Sequence, residues 1–283
     1  MPDRLRQFAG EVEREAANAQ AAENQGKLRT AITGYRRATM LLGLNEELSL
    51  PMADGVRLLL VFVPAGEFDM GSSPDDGGRR KEEHLPQTVV MKKAFYIGKY
   101  EVTQEQYKTV VDRNPSAFQG LHLPADSVSW HEAEQFCADL TKRLNSLGYG
   151  QLRLPTEREW EYACRAGTRS EYSAGDGKRA MEKVGWCRQD GSRQTKPVGQ
   201  KEANIWGLCD MHGNVWEWCH DTFVLSRVPA IPEPDSQDGA ARRVLRGGSW
   251  NTDLSYCRSA SRYGEAPQTK RDDIGFRVVM EIE

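Results

Sequence analysis

The first 48 residues carry apolar positions at helical spacing and predict a helical hairpin. The segment is rich in Ala, Glu, Arg and Gln, and Asn24 and Gly26 separate its two helices. Apolar residues recur at steps of about three and four, at Leu28, Ile32, Tyr35, Ala38, Met40, Leu41 and Leu42. A single hairpin cannot bury its own apolar face. It therefore packs on the rest of the chain or meets a partner helix, and the pattern leaves both open.

A change of pattern after residue 48 marks a second domain, over residues 57–283. Pro51 and Gly55 predict a linker over residues 49–56. Alternating apolar and β-branched residues predict strands, and polar glycine-containing residues predict loops. The pattern predicts, in chain order, a strand pair around Pro64 (56–70), an exposed loop (72–85) and a further strand run (89–100).

Three helix starts share one chemistry, a Ser or Thr cap with Gln or Glu three residues later. The pairs are Thr103 and Gln106, Ser129 and Glu132, and Thr156 and Glu159. The second helix has an apolar stripe that includes Cys137, and Cys164 lies on the apolar face of the third. Long loops are predicted over 167–202 and 226–243. The expected fold class is α+β, with short strands, a few helices and much ordered coil.

Composition excludes several classes of function. A net charge of -3 gives no general reason to expect nucleic acid or an anionic membrane as a partner. No apolar run is long enough to cross a bilayer, and the N-terminus lacks the apolar core of a signal peptide. A cytoplasmic location is expected if Met1 is native, and a secreted or surface location if a signal was removed. Six cysteines in 283 residues do not make a disulfide scaffold or a zinc motif.

The chain is organised around residues 207–218. Gly213-Asn214 predicts a turn, because both residue types tolerate positive φ, and residues 215–218 predict a short buried strand. Asp210 and Glu217 flank the turn with backbone carbonyls between them, which suits a hard cation. The alternative is a hairpin whose Asp and Glu pair with nearby arginines.

The same region carries a resemblance to the formylglycine-generating-enzyme (sulfatase-modifying-factor) family, whose fold is related to C-type lectins. Motifs typical of that family occur in the family's order over about residues 57–283. They are FVPAGEFDMG (62–71), YEVT (100–103), VSW (128–130), RLPTEREWEY (153–162), GLCDMHGNVWEW (207–218), RGGSW (246–250) and GFR (275–277).

The resemblance implies a calcium ion, held by an acidic residue of the YEVT motif and by groups around the central turn. The corresponding ligands here are the side chains of Glu101, Asp210 and Glu217 and the carbonyls of Gly213 and Val215. All five can supply the oxygen that calcium takes. A second family calcium site has no clear counterpart near residues 184–197.

The resemblance also implies copper, which active members of the family bind through two cysteines after the RGGS motif. Counted from Gly247–Ser249, those positions are Thr252 and Cys257. Counted back from Gly275–Arg277, the segment is about three residues short. At most one thiolate remains, and a hydroxyl is a poor ligand for copper(I). We therefore expect copper to be absent and the chain not to be an oxidase.

Two further expectations follow from the family. If the chain were an oxidase, its site would be built from Cys257, Ser249 and Trp216. Family members often pair the cysteine of the third helix with one in the C-terminal segment. The corresponding pair here is Cys164 and Cys257, as a disulfide or as neighbouring thiols.

The C-terminal segment resembles the variable region of proteins diversified by retroelements, which have the same fold and display adaptable side chains on one face. Tyr, Ser, Asn and Asp are typical of adaptable binding surfaces. The predicted ligand-binding residues are Trp216, Trp250, Asn251, Thr252, Asp253, Ser255, Tyr256, Ser261, Tyr263, Glu265, Gln268, Lys270 and Asp272. The expected function is non-catalytic binding of a protein or other ligand. The alternatives are a copper-dependent or other oxidase, and an adaptor whose N-terminal helices recruit a partner.

Overall fold

The computed structural model describes residues 47–53, 55–191, 193–225 and 241–282. The predicted helical hairpin lies outside these ranges up to residue 46, and so does most of the predicted loop 226–243. Within the described part of the chain, no helix combines the length and the hydropathy that crossing a bilayer requires.

The described residues form an α+β domain of short elements, as expected. The helices are α1 (Gln104–Val111), α2 (Trp130–Asn145), α3 (Glu157–Arg165) and α4 (Lys178–Val184). The strands are β1 (Glu47–Pro51), β2 (Arg57–Val63), β3 (Gly66–Met70), β4 (Gln87–Met91), β5 (Phe95–Gly98), β6 (Leu152–Arg153), β7 (Gly185–Trp186), β8 (His212–Gly213), β9 (Trp216–Thr222), β10 (Arg243–Arg246), β11 (Arg262–Glu265), β12 (Ile274–Gly275) and β13 (Val279–Glu281). Short 3₁₀ turns cover Arg188–Asp190 and Leu254–Cys257.

The larger sheet has five strands in the order β1-β2-β5-β13-β6, and all its pairs are antiparallel. Most of β2 is buried because its apolar run packs on both sides. Aromatic rings fill the core beside α1 and α2. The ring centroids of Tyr107 and Phe136 are 5.5 Å apart, and those of Phe136 and Phe276 are 5.3 Å apart. Phe276 belongs to the GFR motif, so this aromatic packing positions that motif in the core.

The second sheet positions the central stretch. Its order is β11-β10-β9-β12, so β9 lies between β10, which leads into the RGGSW motif at Arg246, and β12, which leads into the GFR motif at Gly275. Glu217 on β9 is in register with Arg246 on one side and Gly275 on the other. Motifs that are far apart in sequence are therefore side by side in the sheet.

The three predicted helix starts are confirmed. Thr103, Ser129 and Thr156 each accept a hydrogen bond from the backbone amide three residues later, and the Gln or Glu at that position binds back to the cap. Each reciprocal pair satisfies amides that lack partners in the first helical turn. Cys137 and Cys164 are buried on the core faces of their helices, as predicted.

Three expectations about strands and loops are wrong. β2 and β3 do not pair with each other, because β2 joins the larger sheet and β3 pairs with β4. The predicted linker 49–56 begins with the end of β1, whose residues are paired to β2 along its whole length. The predicted loop 167–202 contains α4 and β7, since Ala180, Met181 and Val184 bury a small apolar face there.

Candidate functional site

A tight turn carries the central motif into β9. Gly213 and Asn214 both have positive φ, at 92° and 60°, as the sequence predicts. A Cβ on Gly213 would lie 1.8 Å from the carbonyl oxygen of Trp186, so only glycine fits. Beyond the turn, Trp216, Glu217 and Trp218 are buried in succession. Because neighbouring residues of a strand point to opposite faces of the sheet, the side chains of Trp216 and Glu217 lie on opposite sides of β9.

Glu217 is held by a buried arginine. Arg277 donates from Nε and Nη2 to the two carboxylate oxygens of Glu217, at 2.6 and 2.7 Å. Trp160 donates its indole N–H to the same carboxylate at 2.7 Å. Both partners of the ion pair are fully buried. The sequence alternative, in which Glu217 pairs with an arginine, is therefore correct for this residue.

Two more carboxylates share this buried region. Both oxygens of Glu101 and the Oδ1 atom of Asp210 are buried without a hydrogen-bond partner. Burial, together with the charges of Asp210 and Glu217, raises the pKa of Glu101 well above its ordinary value. Burial also raises the pKa of Asp210 to about 6. Asp210 has a φ of 57°, a strained conformation of the kind that concentrates at functional positions.

The charges of this cluster do not balance. Glu101, Asp210 and Glu217 together carry three negative charges when ionised, and Arg277 supplies one positive charge. A buried carboxylate oxygen without a partner is costly. Among the described residues, no three Asp, Glu, His or Cys side chains are close enough to hold an ion by themselves. A cation here would therefore depend on main-chain oxygens, such as the carbonyls of Gly213 and Val215.

The first predicted copper position holds a hydroxyl beside a thiol. Thr252 Oγ1 lies 3.8 Å from Cys257 Sγ. The hydroxyl also accepts a hydrogen bond from the amide of Ser249 at 2.9 Å, which closes the turn after Gly248. Burial raises the pKa of Cys257 far above its ordinary value, so its thiol is protonated at neutral pH.

Cys164 and Cys257 do not form the disulfide that the family suggests. Both are free cysteines. Cys164 Sγ instead lies 3.7 Å from His212 Nε2 and 3.9 Å from the carbonyl of Met211. A different cysteine, Cys187, shares a small apolar cluster with Cys257, and no sequence pattern predicts this proximity.

His212 is a structural histidine that links these segments. Its Nε2 accepts from the amide of Ser173 at 3.1 Å, which assigns the proton to Nδ1. Nδ1 then donates to the carbonyl of Cys257 at 2.8 Å. Burial lowers the pKa of His212 to about 4, so the ring is neutral at physiological pH.

The other side of β9 supports a group of tyrosines. The buried ring of Trp216 contacts Tyr256 and Tyr263, with centroids 6.2 and 5.9 Å apart. The Arg80 guanidinium lies 3.5 Å from the centre of the Tyr256 ring, and Arg80 Nη2 donates to the Tyr256 hydroxyl at 2.6 Å. Tyr263 is 37% exposed. We call Trp216, Tyr256, Tyr263 and Arg80 the tyrosine face.

The predicted ligand-binding residues are not equally accessible. Trp216, Trp250 and Ser261 are buried, so Ser261 cannot contact a ligand as predicted, and the two tryptophans lie beneath the surface. Trp250 packs edge-on against Phe118, 5.6 Å away. The exposed members are Asn251, Asp253, Tyr263, Gln268 and Lys270, and the half-buried ones are Thr252, Ser255, Tyr256, Glu265 and Asp272.

Buried arginines hold the segment that carries these residues. Arg262 makes two bonds to Glu157 of α3, at 2.6 and 2.7 Å, and Arg246 pairs with Glu161. Arg258 binds Asp76 at 2.6 Å and pairs with Glu83, which fixes the loop that carries Arg80. Burial opposes a charged carboxylate, but Arg262 and Arg246 still hold the pKa of Glu157 far below its ordinary value. Sequence reasoning missed Arg80, because its position depends on this distant anchor.

Residues 57–282 match the family described as the sulfatase-modifying factor enzyme 1-like domain. A formylglycine-generating enzyme of Streptomyces coelicolor is 36% identical, in an alignment that covers 77% of this chain and 87% of that protein. The inactive C-alpha-formylglycine-generating enzyme 2 of Mus musculus is 34% identical, in an alignment that covers 77% of this chain and 84% of that protein. Among solved structures, Treponema denticola variable protein 1 superposes with a TM-score of 0.72 and 27% identity, covering 83% of this chain and 98% of that chain.

Proposed function

Since this chain belongs to the sulfatase-modifying factor enzyme 1-like family, we propose that it is a non-catalytic member that binds a ligand at its C-terminal surface. The ligand surface comprises the tyrosine face and the exposed and half-buried residues between 250 and 273. The ligand is a protein or another molecule that aromatic rings and polar groups can recognise together.

The observation that carries this proposal is the contact of Thr252 Oγ1 with Cys257 Sγ at 3.8 Å. The position that the family resemblance assigns to the first copper-binding cysteine is filled by a hydroxyl. Copper(I) prefers soft sulfur ligands, and a single buried, protonated thiol does not provide a two-sulfur site. The residues present therefore do not fit copper.

The tyrosine face supports the binding half of the proposal. Tyr256 and Tyr263 pack against Trp216, which restricts their rotamers before a ligand binds. Their loss of conformational entropy on binding is therefore smaller. Rigid aromatic anchors surrounded by adaptable polar residues are typical of binding surfaces. The arginine anchors hold the segment's backbone while leaving residues such as Tyr263, Gln268 and Lys270 exposed.

We extend the proposal to diversification by a retroelement. The likeness to Treponema denticola variable protein 1 over 83% of this chain supports it. The test is a search beside the gene for a second copy of the coding sequence for residues 250–273, differing from the first at adenines. A neighbourhood without such a copy would contradict diversification and leave the binding proposal standing.

Tyr263→Ala is expected to weaken ligand binding at least about thirtyfold, the effect of a hot-spot residue of about 2 kcal/mol. Wild type and variant are tested side by side on arrays of purified surface proteins and glycans. Val90→Ala removes an exposed side chain from β4, in another sheet, and should bind like wild type. A ligand that Tyr263→Ala binds as tightly as wild type would place recognition elsewhere on the molecule.

We also propose calcium at the carboxylate cluster, with Glu101, Asp210, Glu217 and the carbonyls of Gly213 and Val215 as ligands. The orphaned oxygens of Glu101 and Asp210 support it, as does the charge balance, since one divalent cation would neutralise the cluster. Bound calcium would compensate the negative charge of the carboxylates and link the central turn to the YEVT motif, which contains Glu101.

Calcium is expected to raise the melting temperature by about 5–10 °C over EDTA, since saturation at 100 times Kd stabilises by about 2.7 kcal/mol. Glu101→Gln and Asp210→Asn keep the side-chain shape and should abolish the rise. Asp126→Asn changes another buried carboxylate with an orphaned oxygen and should retain it. Equal melting temperatures of wild type in calcium and in EDTA would rule the site out.

One observation favours an oxidase as a second candidate. Cys187 and Cys257 share an apolar cluster, so two thiols from different segments come near each other. Burial, which raises the pKa of Cys187 to about 11, opposes this use. The candidate predicts that the copper-loaded protein, with molecular oxygen as the oxidant, converts a cysteine peptide to an aldehyde and that Cys187→Ser and Cys257→Ser both abolish the conversion. The binding proposal predicts no conversion by any of the three proteins.

A further inference from the structure

A short 3₁₀ turn at Arg188–Asp190 lies against the beginning of the proposed ligand segment. Its residues are exposed, but the turn is anchored at its base. Asp190 Oδ2 accepts a hydrogen bond from the amide of Cys187 at 2.6 Å, and the buried Cys187 shares an apolar cluster with Cys257. We call Arg188–Asp190 the 188–190 turn. Because it is anchored in the domain, it can support a neighbouring segment.

Arg188 binds the ligand segment through main-chain carbonyls. Its amide donates to the carbonyl of Thr252 at 2.9 Å. Its guanidinium donates from Nε and Nη2 to the carbonyl of Asn251, at 3.1 and 2.5 Å. Every residue type carries a main-chain carbonyl. These contacts therefore do not depend on which side chains occupy positions 251 and 252.

Gln189 extends the contact to the next two residues of the segment. Its Oε1 accepts a hydrogen bond from the amide of Leu254 at 3.2 Å, and its Nε2 donates to Oδ1 of Asp253 at 3.1 Å. The Arg188 guanidinium also approaches the Asp253 carboxylate, at 3.9 Å, but both side chains are more than half exposed, so this ion pair contributes little. The turn therefore holds residues 251–254 mainly by hydrogen bonds.

The residues that the turn holds lead directly into the tyrosine face. Leu254–Cys257 form the next 3₁₀ turn, and the amide of Tyr256 donates to the carbonyl of Asp253 at 2.9 Å. A shift of residues 251–254 would therefore move Tyr256 together with the exposed side chain of Asn251.

We propose that the 188–190 turn is a positioning element of the ligand surface, with Arg188 and Gln189 as its positioning residues. The inference rests on the proposed binding function. By holding residues 251–254 in one shape before a ligand arrives, the turn reduces the conformational entropy that is lost on binding.

The proposal also fits a segment that varies in sequence. All but one of the hydrogen bonds from the turn to the segment reach main-chain atoms, so the same turn can position many different side chains. The turn itself lies outside residues 250–273. Diversification of those residues would therefore leave their support unchanged.

The first test needs no ligand and follows amide hydrogen exchange by NMR in the full-length protein. In Gln189→Ala the amide of Leu254 loses its acceptor, and we expect it to exchange about five to ten times faster than in wild type. Arg179→Ala changes an exposed residue of α4 outside these contacts and should leave that rate unchanged. An unchanged rate in Gln189→Ala would overturn the proposal, because the turn would then not hold the segment.

The second test measures affinity on the arrays of purified surface proteins and glycans. For the array member that wild type binds most tightly, we expect Arg188→Ala combined with Gln189→Ala to bind about tenfold more weakly, and Arg179→Ala to bind like wild type. Arg188→Lys can still donate to the carbonyl of Asn251 and should bind more tightly than Arg188→Ala. The melting temperatures should stay near that of wild type, because exposed substitutions usually change stability little.

The outcomes separate this inference from the function on which it rests. Faster exchange at Leu254 and weaker binding, at an unchanged melting temperature, would support the positioning role. Wild-type affinity in the double variant would overturn the positioning role and leave the binding proposal standing. Failure of wild type itself to bind any array member would overturn the proposed function, and the positioning role with it.

Discussion

Arg277→Met is expected to destabilise the protein by about 3–5 kcal/mol, the usual cost of removing one partner from a buried ion pair. The guanidinium is fully buried and binds Glu217 twice, the carbonyl of Gly98 at 2.9 Å and that of Cys209 at 3.1 Å. Without it, and with calcium removed by EDTA, Glu217 faces Glu101 and Asp210 with no buried basic side chain to balance their charge. The effect should appear as a lower urea midpoint with an unchanged slope.

Two controls separate this ion pair from ordinary salt bridges. Arg153→Met removes an arginine that binds Glu159 and Glu281 at a partly exposed site, and we expect a loss of about 1 kcal/mol or less. The double variant of Arg277→Met with Glu217→Met removes both charges and should recover part of the stability, although Trp160 then loses its acceptor. If Arg277→Met unfolds at the wild-type midpoint, the cluster does not depend on the arginine.

Thr252→Cys is expected to create tight copper(I) binding where wild type has none. The new sulfur would lie about where Thr252 Oγ1 now lies, 3.8 Å from Cys257 Sγ. Metal–sulfur bonds of about 2.3 Å, the length for zinc, allow one ion to bridge sulfurs up to about 4.6 Å apart. Affinity should rise more than about a hundredfold, since even outer-shell partners of metal sites contribute about 10–100-fold.

The measurement is anaerobic competition with a colorimetric copper(I) chelator. Thr252→Ser keeps the hydroxyl and should behave like wild type, while Thr252→Cys combined with Cys257→Ser should lose the gain. Wild type that competes as well as Thr252→Cys would mean that a second sulfur, such as that of Cys187, already serves. Such tight copper binding by wild type would contradict the proposal that the protein is non-catalytic.

Local chemistry made part of the structure predictable. The capping boxes at Thr103, Ser129 and Thr156 are complete within four residues, so the sequence alone specifies where these helices begin. The turn at Gly213-Asn214 is equally local, because positive φ restricts the residue types. These elements were predicted correctly because nothing outside them decides their conformation.

Strand partners and buried ion pairs were harder to predict, because they depend on distant segments. β2 and β3 follow one another yet belong to different sheets, since β5 and β13 complete the sheet around β2. The ion pairs of Arg258 illustrate this, because its partners Asp76 and Glu83 lie about 180 residues earlier, in a loop that the sequence predicts to be exposed. Spacing in the sequence carries no information about such pairs.

The site was predictable only in part. The motif placed Asp210 and Glu217 together and put Thr252 beside Cys257, as the structure does. It did not show that Glu217 accepts hydrogen bonds from Arg277 and Trp160, while Glu101 keeps two orphaned oxygens. It also did not show that Ser261, the residue before β11, is buried, because packing against segments distant in sequence decides which side chains face solvent.

The alternation along β9 has a consequence for how this protein tolerates change. Trp216 supports the tyrosines on one side, and Glu217 binds the arginine on the other, so recognition and folding depend on opposite faces of one strand. Replacements at outward positions such as Tyr263 or Gln268 leave the buried ion pairs intact. Many descendants of the gene could therefore diverge in what they recognise while melting at nearly the same temperature.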